Sequence, residues 1–72
     1  MGGVYKLVKL VGTSENSFED AVRNAVSEAA KTIRNVSWFE VVEQRGMVRS
    51  GQVGEFQVII NVGFRIEGAD QV

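Results

Sequence analysis

Residues 55–67 read EFQVIINVGFRIE, and this stretch decides the fold. Its even positions are Phe56, Val58, Ile60, Val62, Phe64 and Ile66, all apolar. Its odd positions are Glu55, Gln57, Ile59, Asn61, Gly63, Arg65 and Glu67, mostly polar. Side chains of a strand alternate between the two faces of its sheet, so a period of two sustained this long specifies a strand with one buried face. A strand of this length belongs in the middle of a sheet, with its even face against a helix.

Reading backwards, residues 50–54 (SGQVG) form a hairpin turn, and residues 36–49 form the strand paired with 55–67. Further back, Thr13-Ser14-Glu15-Asn16-Ser17 is a run of helix-capping residues. Ser17 with Asp20 resembles a capping box, with Asp in place of the usual Glu. Apolar residues then recur at 18, 21, 22, 25, 26, 29, 30 and 33, which is helical spacing. The stripe is mostly alanine and valine, so this helix can lie close to a sheet. The helix is expected over about residues 17–35, with Asn35 as its stop because Asn tolerates the left-handed conformation found past helix ends. Residues 4–11 (VYKLVKLV) read as the first strand, ended by Gly12. Neither of its faces is cleanly polar, which is odd for a sheet with one solvated side and points to cover on both.

The expected architecture is α+β. It is a single β-α-β-β unit, a three-stranded antiparallel sheet with one helix packed on one face, occupying residues 1–72 as one domain. A bare sheet face would remain in a monomer. A core of this size is marginal and needs a staple. The 72 residues contain no cysteine and no histidine, which removes disulfides and the common zinc sites. A homo-oligomer is the expected remedy, or else an unusually well packed monomer.

Eight basic and nine acidic residues are interspersed, for a net charge of −1. No basic stripe marks a nucleic-acid surface. No apolar run approaches a membrane span. The expected location is the cytoplasm, with neither nucleic acid nor membrane as partner.

Without His or Cys the common nucleophilic triads cannot be built. Glu40 and Glu43 stand three apart in a strand and are expected on opposite faces. No phosphate-binding glycine motif occurs. We therefore expect no catalytic residues, no metal site and no enzyme. Ligand binding rests on four residues. Trp38, the single tryptophan, neighbours Phe39 on the second strand, and the two must face opposite sides. Phe39 suits the core, and Trp38, sharing its face with Glu40 and Gln44, suits the outside. An outward tryptophan is an interface anchor or a stacking surface for a planar ligand. Gln57 offers a donor and an acceptor side by side, for a heterocycle edge or for a cross-strand bond. Arg45 and Arg65 are candidates for a phosphate or carboxylate, or for ion pairs between subunits.

The segments VYKLVKLVGTSENSFEDAV, NVSWFEVVEQRGMV and FQVIINVGFRIE together resemble the dodecins over residues 4–67. The resemblance implies a hollow homododecamer that binds flavins in pairs, stacked between tryptophans of two subunits. It implies flavin (FMN or riboflavin) storage and photoprotection rather than catalysis. Carried across, Trp38 is the stacking residue and Gln57 bonds the pyrimidine edge of the isoalloxazine. Arg45 matches a position that approaches the ligand in bacterial members. Arg65 matches a polar position serving ligand or assembly. Some members also bind coenzyme A. The sequence departs from the family at Lys9, where Glu is common, and at Asn61, where Lys is common, and both bear on assembly ion pairs. The rival readings are a flavin-dependent oxidoreductase, which needs an open flavin face, and an interaction module anchored by Trp38.

Overall fold

The structure, a computed structural model, describes residues 2–66. Its elements in chain order are β1 (Tyr5–Ser14), α1 (Phe18–Thr32), β2 (Val36–Arg49) and β3 (Gln52–Arg65). The sheet order is β1-β3-β2, with both pairings antiparallel. The β-α-β-β arrangement and the central place of the 55–67 stretch are as the pattern requires. The expected end of that strand at Glu67 lies outside the described residues.

Val58, Ile60 and Val62, all on the even face, have no solvent exposure. They pack against Ala21, Ala25 and Ala29 of α1. The alanines bring the helix close, and one glycine brings it closer. A Cβ at Gly12 would collide with the Ala21 carbonyl oxygen and approach the Ala25 Cβ to 2.8 Å. Gly12 is therefore a packing glycine inside β1. It does not end the strand at Val11, and β1 runs on to Ser14.

The start of α1 follows the expected cap in part. Ser17 is the N-cap, and its Oγ accepts from the Asp20 N–H at 3.0 Å. The reciprocal half of the box differs. The Asp20 carboxylate accepts from Ser14 Oγ at 2.7 Å, and the Ser17 N–H donates to Ser14 Oγ at 3.4 Å. Thus Ser14 ties the end of β1 to the start of α1. The helix stops at Thr32, three residues before the expected Asn35. Ile33 is already extended, although its N–H still reaches the Ala29 carbonyl at 2.9 Å. Asn35 is left-handed (φ 65°) as its chemistry allows, but it shapes the entry to β2. There its carbonyl accepts from the Arg65 N–H at 3.2 Å.

The hairpin is tighter than the SGQVG segment suggested. Ser50 (φ 53°) and Gly51 (φ 74°) are both left-handed, the signature of a two-residue type I′ turn. Strand β3 therefore begins at Gln52 rather than at Glu55.

Helix α1 lies over β1 and β3 and leaves β2 poorly covered. Phe39 was expected in the core. It pairs with Val62 and so faces the helix side, yet it is 48% exposed. It lines an open groove with Val22 and Val26, rimmed by the Glu19–Arg23 ion pair. The molecule measures 56 × 20 × 13 Å, and its radius of gyration is 14.9 Å. A compact chain of this length would have about 11 Å. This is a thin slab whose core is three alanines and three β-branched residues. Among the described residues no helix is long and apolar enough to cross a membrane.

Candidate functional site

Among the described residues nothing covers the sheet face opposite the helix. Residues paired across antiparallel strands share a face, so the register assigns its members. The β3 odd positions Gly63, Asn61, Ile59 and Gln57 meet Leu7, Lys9, Val11 and Thr13 of β1. On the other side they meet Trp38, Glu40, Glu43 and Arg45 of β2.

That β2 set is not the one alternation predicts. The register shifts between Val36 and Trp38 and again between Val41 and Glu43. An inserted residue at each bulge reverses the phase of the strand. Val36 consequently packs toward the core while Trp38, two residues on, faces outward. The second bulge brings Glu43 onto the face of Glu40, so the expectation of opposite faces for this pair is corrected. It also moves Gln44, expected beside Trp38, to the helix side, where it pairs with Val58. Arg45 takes its place on the open face.

Trp38 faces outward as expected and is 43% exposed. Its indole lies flat over Gly63. A Cβ at Gly63 would overlap ring atoms Cε2 and Cζ2 and come within 2.7 Å of Nε1. One ring face is therefore held against the β3 backbone and the other is open. Arg65 is two residues further along β3 and opposite Tyr5. It shares the Trp38 end of the face.

Gln57 and Arg45 form the other end, and they pair directly. Arg45 Nε donates to Gln57 Oε1 at 3.0 Å, and Gln57 Nε2 donates to Glu55 Oε1 at 2.9 Å. The cross-strand bond that was one reading of Gln57 is thus made. It fixes the amide orientation and, among the described residues, leaves one amide hydrogen and one carbonyl lone pair unused. Between the ends, Asn61 Nδ2 donates to Glu40 Oε2 at 2.9 Å, in the row that also holds Lys9.

The four residues singled out in the sequence thus fall into two pairs rather than one cluster. Gly63 and Gln57 are six positions apart along β3, a span of roughly 20 Å. The sequence reading missed Gly63 and Glu55. The signal for Gly63 was a glycine interrupting a strongly alternating strand, which marks a close approach or a bulge. Among the described residues there is no group of three or more acidic side chains placed to hold a metal ion.

The family model for dodecin matches residues 4–67. Dodecin of Thermus thermophilus is 52% identical over 67 residues, which cover 93% of this chain and 97% of that protein. A Thermus thermophilus crystal structure superposes with a TM-score of 0.87, over 92% of this chain and 97% of that one. Dodecin from Streptomyces coelicolor gives 0.87 at 45% identity, over 90% and 93%. Calcium dodecin of Mycobacterium tuberculosis is 30% identical over 66 residues, 92% of this chain and 93% of that protein. Its crystal structure, described as having a novel calcium-binding site, gives a TM-score of 0.78. Strand order, helix placement and sequence agree along nearly the whole chain, which belongs to the dodecin family.

Proposed function

We propose that the chain assembles into a hollow homododecamer in the cytoplasm that binds FMN or riboflavin, storing the flavin and shielding it from light without turning it over. The observation that carries this reading is the indole of Trp38, flat on an uncovered sheet with one ring face open. Such a surface fits a planar heterocycle, and stacking on an aromatic platform contributes about 1–3 kcal/mol per ring. The half-used amide of Gln57 fits the carbonyl and N–H edge of an isoalloxazine.

The two pairs of residues stand too far apart on one chain for a single ring system to touch both. The ligand is held between copies, with the Trp38 and Arg65 end of one subunit facing the Gln57 and Arg45 end of another. The slab shape supports this. Tyr5, Leu7, Val11, Trp38 and Met47 remain exposed on one face, a surface that a neighbouring copy would cover. A ring enclosed in this way leaves no approach for a second substrate, which favours storage over hydride transfer. An indole in face contact quenches an excited flavin by donating an electron that then returns.

The test combines native mass with a titration of riboflavin and of FMN. We expect a twelve-subunit species that extinguishes flavin fluorescence at micromolar protein. Undiminished fluorescence, or a lone subunit, rejects the reading.

A further inference from the structure

We propose that Gly63 is the positioning residue of the Trp38 platform: its missing side chain is the seat of the indole, and it sets where a stacked ligand lies. The inference rests on the flavin-binding reading above. Gly63 lies inside the central strand, two residues before its end at Arg65, where glycine weakens the strand. Turn geometry does not account for it. Among the described residues the glycine with positive φ is Gly51, and Gly63 is in ordinary extended backbone. The residue pairs with Leu7 on β1 and with Trp38 on β2, and the irregularity beside it, between Val36 and Trp38, lies in β2. What distinguishes it is space: a methyl group there would occupy the volume of the indole five-six ring junction and approach Nε1 to 2.7 Å.

The consequences are steric. Seated on bare backbone, the ring lies as close to the sheet as an aromatic ring can, and its inner face is sealed. Gly63 itself is buried as a result. A planar ligand then has one face of the indole available, at a height fixed by the backbone rather than by a mobile side chain. A methyl group at this position lifts or tilts the ring, and the lifted ring intrudes into the volume the ligand requires. Gly63 touches no ligand; it acts through Trp38.

The experiment is a cycle of Gly63→Ala, Trp38→Ala and the double variant in the full chain, read in three ways. Near-ultraviolet circular dichroism reports the lone tryptophan, Tm reports stability, and riboflavin fluorescence reports binding. With Trp38 present, Gly63→Ala should lower Tm, change the indole bands and weaken riboflavin binding about tenfold or more, within the range of a lost stacking contact. With Trp38→Ala as background, the same substitution should raise Tm, because alanine then suits a strand better than glycine. That reversal of sign is the signature of action through the indole. The proposal is overturned if Gly63→Ala keeps the indole bands and riboflavin affinity of the parent. It is equally overturned if the substitution lowers Tm by the same amount in both backgrounds. Should Gly63→Ala with Trp38 present fail to fold, recovery of folding in the double variant supports the proposal and continued failure rejects it. If the parent binds no riboflavin, the flavin reading falls, while the Tm cycle and the indole bands still decide the seat.

Discussion

The two faces of β3 are built on different rules. On the helix side, Val58, Ile60 and Val62 are buried against Ala21, Ala25 and Ala29. On the open side, the neighbouring positions form a string of specific bonds, Arg45 to Gln57 to Glu55 and Asn61 to Glu40, beside an indole and several exposed aliphatics. Over β1 and β3 the first face is finished within the chain, while over β2 it stays open at Phe39. The second is half of something, too apolar to be left in water and too polar to be a core.

The largest test of this contrast uses adjacent residues. Ile60→Ala should cost about 2–5 kcal/mol by denaturant unfolding, since it empties a packed core position. That cost should not change on dilution. Ile59→Ala, one residue away on the open face, should cost less, and its cost should grow as the protein is diluted, because it acts through association. Equal, dilution-independent costs would break the comparison.

Next in size, Trp38→Ala should weaken riboflavin binding by about 1–3 kcal/mol while the helix signal in far-ultraviolet circular dichroism persists. Loss of that signal would place the indole in the fold rather than in the site. A smaller effect is expected for Gln57→Leu, which removes a hydrogen-bonded amide. Riboflavin affinity measured by titration should fall by about 0.5–1.5 kcal/mol. Unchanged affinity would confine Gln57 to its bonds with Arg45 and Glu55. The smallest effect lies away from both faces. Arg23→Ala breaks an exposed ion pair with Glu19 at 2.8 Å and should change stability by no more than about 0.5 kcal/mol in a thermal melt.

The covered face was largely legible from local pattern. Alternation in 55–67 and the 3.6-residue stripe of 18–33 are properties of single segments, and each predicted its own buried side. The open face was legible in its members more than in its arrangement. Trp38 and Glu40 read as outward, but Gln44 and Glu43 did not read onto their true faces, because the bulges of β2 are imposed by pairing with β3 and leave no mark on β2 alone. Gly12 and Gly63 read as punctuation in the sequence. In the fold each is a space, one filled by α1 and the other by an indole.

The amino-acid sequence by itself determined the element types, their order, the core face of β3 and the absence of triad chemistry, because periodicity and composition act within short stretches of chain. Only the tertiary structure decided which side chains of β2 share a face, that the indole rests on bare backbone, and that Trp38 and Gln57 stand at opposite ends of the sheet. Those outcomes depend on the register between strands distant in sequence, where one inserted residue reverses every side chain beyond it.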